Sequence, residues 1–366
     1  MTERFSVTYH VRGAPADIEA RAQAIAVEQS VEMPIAAIRD QTVLSEIVGR
    51  VERIEDLGDG AFAVRVGLAT ATVGDDAGQL LNMVFGNTSL HDDVVLSDIA
   101  IPHSLIQAFG APRHGIAGLR SRLGLPRRAL TASALKPQGL PSHALAGLAE
   151  QMARGGLDFV KDDHGLADQS YARFAERLRA CAAGVAAGAR ASGHPTRYVP
   201  SLSGNLDQLR TQATLALDQG LDCALVAPMI CGFATLQALV REFPELAWLA
   251  HPSMGGAARI APELLIGKLF PLLGADAVIF PSFGGRFGYS RQTCRRLADN
   301  ARRGDAMRAA LPVPAGGTTL DRTREILDFY GPDTMLLIGG NLLLARERIT
   351  AETERFTDAV AAHVFA

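Results

Sequence analysis

Apolar runs of strand length recur along the later part of the chain, at residues 129–136, 159–163, 198–202, 223–229, 246–251, 277–282, 311–315 and 335–338. The stretches between them, such as 169–192 and 206–218, are rich in Ala, Leu and Arg and carry apolar residues at helical spacing. Eight strands alternating with helices predict a (β/α)8 TIM barrel, an architecture of about 250 residues. Polar or glycine residues follow the runs directly: Lys136, Asp163 with His164, Ser203, His251, Ser282, Gly316 with Gly317, and Gly339 with Gly340. Barrel enzymes assemble their sites at that C-terminal rim, from several strand ends at once.

The preceding segment has a different pattern. Residues 5–10 alternate as a strand, 15–28 form an Ala-rich helix, 47–54 and 61–66 are further strands, and 78–84 is a second helix. This predicts a small α+β, ferredoxin-like N-terminal domain over residues 1–118, joined near 102–118 to a barrel over 119–366 that carries the metal and phosphate sites. No solenoid repeat or low-complexity tract interrupts either part, and helix propensity accounts for the Ala-rich stretch 180–191.

The second barrel strand is the most unusual. In Gly155 to His164, GGLDFVKDDH, the apolar Leu157, Phe159 and Val160 lead into Lys161, Asp162, Asp163 and His164. A buried, unpaired ammonium or carboxylate costs several kcal/mol, roughly, so charges at the end of such a strand point to chemistry. A strand-end turn with solvated charges is the plain alternative. Composition narrows the field: 366 residues, 48% hydrophobic and 20% charged with net charge −3, leave no basic excess for nucleic acid. The opening MTERFSVTYH lacks an apolar signal region and no apolar run reaches membrane-spanning length, so no membrane association and a cytoplasmic location are expected. Cys181, Cys223, Cys231 and Cys294 form no CxxC pair and are expected to be reduced and mostly buried.

GGLDFVKDDH, Ala134-Leu135-Lys136-Pro137-Gln138 on the first barrel strand, His114-Gly115-Ile116 at the junction, Leu311 to Gly317 (LPVPAGG) and Ile338-Gly339-Gly340 occur in this order over nearly the whole chain. The combination resembles the large subunit of ribulose-bisphosphate carboxylase, RuBisCO. Its departures from the carboxylase pattern make it similar to the RuBisCO-like proteins, which are not carboxylases.

The resemblance implies that Lys161 reacts with CO2 to form a carbamate, which with Asp163 supplies oxygen ligands to Mg2+. The family's third ligand is a glutamate, where this chain has His164. Imidazole suits Mg2+ poorly, which leaves weak ligation, an acid or base role, or a preference for another divalent metal open. Lys136 matches the lysine that handles protons beside the substrate's C2 and C3 oxygens, while Gln138 replaces a second family lysine and carries no proton. His251 matches a histidine close to the substrate hydroxyls, and Arg286, in the loop Gly284 to Gly288, either replaces the family's lid lysine or is a solvated loop arginine. Gly316, Gly317, Gly339 and Gly340 are expected to hold one phosphate through backbone N–H groups. The other phosphate site is lost: Pro252 follows His251, Phe280-Pro281-Ser282 ends the sixth strand, and Ala315 stands in place of a serine. Glu28 and Asn87 match residues that complete the site in the family, which implies a homodimer with shared active sites.

The function so implied is metal-dependent enolisation and isomerisation of a phosphorylated ketose resembling 5-methylthioribulose 1-phosphate, in methionine salvage, through an enediolate held by the metal and without CO2 fixation. Two alternatives stand beside it: a decarboxylase or C–C hydrolase of a 3-oxo sugar-acid phosphate, and a non-catalytic sugar-phosphate binding protein. The remaining histidines, His10, His143, His194 and His363, read as surface or loop residues.

Overall fold

The structure is a computed structural model that describes residues 2–125, 128–303 and 307–365. It divides into two compact units: residues up to Gly110 together with Met254–Leu265, and Ala111–Ser253 together with the chain from Ile266 onward.

The first unit holds an antiparallel four-stranded sheet. Strands β1 (Arg4–Arg12), β2 (Arg50–Gly58), β3 (Ala61–Ala69) and β4 (Val94–Ile99) lie in the order β2-β3-β1-β4. With the helices Ile18–Glu28 and Ala77–Phe85 in the two crossovers, this is the ferredoxin-like arrangement. Alternation along β1 buries Phe5, Val7, Tyr9 and Val11 on one face. Tyr9 keeps its buried hydroxyl satisfied by donating to the Val84 carbonyl at 2.7 Å. Two details differ from the pattern reading. Residues 43–47 form a helical turn, so β2 begins at Arg50. The strand β4 was hidden in the sequence because Ser97 and Asp98 break its apolar run.

The second unit contains all eight parallel strands. They are β5 (Leu130–Leu135), β6 (Phe159–Asp162), β7 (Arg197–Val199), β8 (Cys223–Val226), β9 (Ala247–Ala250), β10 (Ala277–Pro281), β11 (Leu311–Ala315) and β12 (Met335–Leu337). Two hydrogen-bonded runs, β12-β5-β6-β7 and β8-β9-β10-β11, make up the barrel wall. Backbone bonds from Leu225 to Pro200 and from Leu202 to Leu225, each 2.9 Å, join β7 to β8. Thr334, at the start of β12, donates its hydroxyl to the Pro312 carbonyl on β11 at 3.0 Å. Several apolar runs are longer than the strands they contain; after β8 the chain turns directly into the short helix Pro228–Cys231.

Strand parity sets what faces the barrel axis. Alternate residues such as Leu130, Ala132, Phe159, Leu225, Leu249 and Val313 form one buried cluster, joined by Leu119 and Leu123 from the segment before β5. Asp276, just before β10, accepts from the N–H groups of His114 and Gly115 at 2.7 Å and of Trp248 at 2.9 Å, tying that segment to the barrel. Outside the wall, the helices Ser142–Arg154 and Phe174–Ser192 pack closely. A Cβ on Gly184 would lie 2.5 Å from the Ala146 carbonyl oxygen, and one on Gly188 2.3 Å from that of Glu150. Close backbone approach, as well as propensity, therefore explains the small-residue stretch. The four cysteines are free, and three of them are buried. Among the described residues, no helix is long and apolar enough to cross a membrane.

Candidate active site

Parity divides the charged cluster on β6. Phe159 points to the barrel axis, so Lys161 and Asp163 continue inward while Asp162 points outward. Asp162 is fully buried and accepts from Arg177 Nε at 3.0 Å, the Tyr198 hydroxyl at 2.8 Å and the Ser201 N–H at 3.1 Å. Burial pushes its carboxyl upward, opposed by the Arg177 guanidinium and the hydroxyl of Tyr198. Arg177, also fully buried, uses Nη1 to hold the carbonyls of Ala167 at 2.6 Å and Ala172 at 2.9 Å. This pair is structural: it pins the loop that carries His164 onto the helix Phe174–Ser192.

The inward side chains meet at the C-terminal rim. Lys136 Nζ lies 2.6 Å from Asp163 Oδ1, and His164 Nδ1 lies 3.3 Å from the same oxygen. Burial alone would raise the Asp163 carboxyl, but the hydrogen bonds from His164 and Lys136 and the charge of Lys161 outweigh it and hold Asp163 well below the usual carboxylate range. Because Asp163 accepts at Nδ1, the Nε2 of His164 is the free ring nitrogen. The His164 ring stacks on that of His251 with centroids 4.0 Å apart and planes 13° from parallel. His251 Nδ1 accepts the Ser253 N–H at 3.2 Å, which places the His251 hydrogen on Nε2. Burial, with the neighbouring charges of Lys161 and His164, pulls the His251 imidazolium down to about 2, so the ring stays neutral.

Lys161 is 3% exposed, and its Nζ donates to the Asp162 carbonyl at 2.6 Å. Burial lowers its pKa to about 8 against the attraction of Asp163 and Asp162. A buried lysine with a substantial neutral fraction has the nucleophilic amine that CO2 requires. Among the described residues, no group of three His, Cys, Asp or Glu side chains is arranged to hold a metal ion. Asp163 and His164, side by side at the rim, would offer two ligands to a divalent cation, and a carbamate on Lys161 would add a third. The donor set fits a divalent cation on that condition, with Asp163 favouring a hard ion and His164 a borderline one.

The glycine pairs occupy the adjoining rim. Gly316 and Gly317 adopt φ of 82° and 118°, which disfavour other residues. The loop after β10 rests on them: Arg286 N donates to the Gly316 carbonyl at 2.8 Å, and a Cβ on Gly316 would sit 3.0 Å from the Phe287 ring. The Arg286 guanidinium is exposed and lies 5.3 Å from the Phe287 ring centroid. Gly339 borders Lys136, whose Cε would be 3.9 Å from a Cβ there, and Gly340 faces open space. On the other wall, the Ser282 hydroxyl is engaged with that of Tyr330 at 3.2 Å, and Ala315 is buried facing the axis.

The match to known proteins is extensive. The family described as "Ribulose bisphosphate carboxylase large chain, catalytic domain" matches residues 115–290. A 5-methylthioribulose-1-phosphate isomerase from Rhodospirillum rubrum is 59% identical over 363 residues, covering 99% of this chain and 97% of that protein. The chain is a RuBisCO-like protein. Ribulose bisphosphate carboxylase-like protein 1 from Rhodopseudomonas palustris is 54% identical over 364 residues, 99% of each chain. A crystal structure of a Rubisco-like protein from the same organism superposes with a TM-score of 0.93 at 48% identity, covering 100% of both chains.

This RuBisCO-like protein thus brings Lys136, Asp163, His164 and His251 into direct contact, with Lys161 beside them and Gly339 against Lys136. Glu28 and Asn87 meet within the first unit, where Asn87 Nδ2 donates to Glu28 Oε1 at 2.9 Å and to Glu32 Oε1 at 3.0 Å. Glu32 had no sequence signal. Nor did the outward half of the KDD cluster, whose partners Arg177 and Tyr198 lie on other elements. His194, read as a loop residue, also belongs to a network: its Nε2 is 2.9 Å from Asp158 Oδ1, which Arg128 Nη2 approaches at 2.8 Å.

Proposed function

We propose that this RuBisCO-like protein isomerises 5-methylthioribulose 1-phosphate, the reaction of methionine salvage, and fixes no CO2 into product. End-to-end identity of 59% to a 5-methylthioribulose-1-phosphate isomerase carries the substrate. The contact set around Asp163 supports the chemistry. In this reading a homodimer shares its sites, Glu28 and Asn87 of one protomer completing the other's barrel.

Isomerisation removes a proton from a carbon next to the ketose carbonyl and returns one to the other carbon of the resulting enediol. A divalent cation held by Asp163, His164 and a carbamate on Lys161 would supply polarisation of the carbonyl and the vicinal hydroxyl. In this reading Lys136, which directly follows β5 and has its Nζ 2.6 Å from Asp163, moves the carbon-bound proton. His251 presents a fixed Nε2–H to a substrate oxygen. The phosphate lies on the glycine pairs, and Arg286, whose backbone N and Cγ pack over Gly317, brings a positive charge to the neighbouring loop. Ala315, together with a Ser282 already engaged by Tyr330, leaves a wall suited to a thioether and not to a second phosphate.

Lys136→Met tests the proton-transfer role. It is expected to retain binding of the sugar phosphate within a few-fold while lowering turnover by about 10²–10⁴, the range for loss of a general acid or base. Solvent deuterium incorporation, measured beside the binding constant, reads this; exchange as fast as in wild type would assign the proton to another group. With ribulose 1,5-bisphosphate, labelled CO2 incorporation is expected to stay at background, and a stoichiometric carboxylation product would contradict the single-phosphate reading.

A further inference from the structure

Resting on the reading of the glycine pairs as a phosphate cradle, we propose that Asn341 is a positioning residue that fixes the loop after β11 in its phosphate-binding shape. Asn341 follows Gly339 and Gly340 and is itself exposed, yet its Nδ2 reaches across to donate to the Thr318 carbonyl at 2.9 Å. Thr318 follows the two left-handed glycines, Gly316 and Gly317. The loop is therefore held on both sides of Gly317: Arg286 N binds the Gly316 carbonyl at 2.8 Å from the loop after β10, and Asn341 binds the Thr318 carbonyl from the loop after β12.

Glycines without side chains have many alternative conformations, so a loop of this composition needs external ties to present its N–H groups in one arrangement. The Thr318 side chain adds a second observation. Its residue is 3% exposed, and its hydroxyl is buried with no hydrogen-bond partner. A buried hydroxyl left unsatisfied marks this segment as shaped by something beyond its own packing. Asn341 thereby couples the two glycine pairs that would share a single phosphate. It touches neither Lys136 nor Asp163 in the described hydrogen bonds, so its influence falls on binding and not on proton transfer.

The experiment compares wild type, Asn341→Leu and Asn341→Gln, using inorganic phosphate followed by ³¹P NMR titration and steady-state turnover of 5-methylthioribulose 1-phosphate. Asn341→Leu is expected to raise the phosphate Kd and the KM by a common factor of about three to ten, the scale of one hydrogen bond, with kcat within twofold. Asn341→Gln, which keeps the amide donor, is expected to recover part of that loss. If Asn341→Leu is insoluble, Asn341→Ala carries the same comparison. Unchanged phosphate affinity in a folded variant, a fall in kcat at constant KM, or no phosphate binding by wild type would overturn the proposal. Failure of wild type to turn over this sugar while phosphate affinity still depends on Asn341 would overturn the substrate assignment and uphold the positioning role.

Discussion

Lys161→Met is expected to abolish turnover while leaving the chain folded. The side chain is 3% exposed at the end of β6, and methionine has nearly the same length without a charge to desolvate. In the proposed reading the variant lacks the amine that would react with CO2, which would leave Asp163 and His164 as the remaining ligands. Losing the third ligand is expected to cost on the order of 10²–10³ in kcat or more, by analogy with removing one preorganised charge-stabilising group. Wild type should show the matching pH dependence. Burial holds Lys161 at about 8, so at constant dissolved CO2 activation should rise through that pH, where the ammonium gives way to the free amine, and level off above it. The same depressed pKa acts on stability. Between about 8 and the unfolded lysine's value of ~10.4 the unfolded chain binds more protons, so folding gains stability as pH rises through that window, a gain that Lys161→Met should lack. Turnover assays with CO2 removed, with a chelator, and across pH check this. Wild-type activity indifferent to both treatments would contradict the modified lysine.

Arg177→Ala is expected to lose about 3–5 kcal/mol of stability, the usual consequence of leaving one member of a buried ion pair alone. Arg177 and Asp162 are both fully buried, and the guanidinium also satisfies the carbonyls of Ala167 and Ala172. Removing it strands those acceptors together with a carboxylate in the low-dielectric layer between β6 and its helix. The loop from His164 to Arg173 then loses its anchor, and turnover should fall with stability even though no catalytic group has changed. Replacing the pair together, Arg177→Met with Asp162→Leu, is expected to recover part of the stability because no uncompensated charge remains, although the Ala167 and Ala172 carbonyls stay unbound. Denaturant midpoints for the three variants measure this, and a loss under about 1 kcal/mol in Arg177→Ala would show that the network is not holding the loop.

Much of the architecture was legible because a parallel barrel repeats one signal eight times, an apolar run closed by polar or glycine residues. Errors at single strand ends do not alter that count, so over-long runs such as 223–229 left the fold intact. A strand like β4 has no such redundancy, and its Ser97-Asp98 tail concealed it. Within the site, strand parity decided what the letters K-D-D-H left ambiguous. Lys161 and Asp163 face the rim, whereas Asp162 faces a helix whose single buried arginine looks, in sequence, like any solvated one. The ion pair between Lys136 and Asp163 follows from the parallel pairing of the consecutive strands β5 and β6, whereas the stack of His164 on His251 joins strands distant in the chain. Only closure of the barrel brings those two rings together.

Isomerisation itself is tested most directly by incubating the protein with 5-methylthioribulose 1-phosphate, Mg2+ and bicarbonate in D2O and following the sugar by ¹³C and ¹H NMR. The expected result is a ketose phosphate of the same composition, its carbonyl moved to a neighbouring carbon and solvent deuterium on a carbon adjacent to it. Sugar recovered unchanged and free of deuterium, under conditions where the protein binds it, would contradict isomerisation at this site.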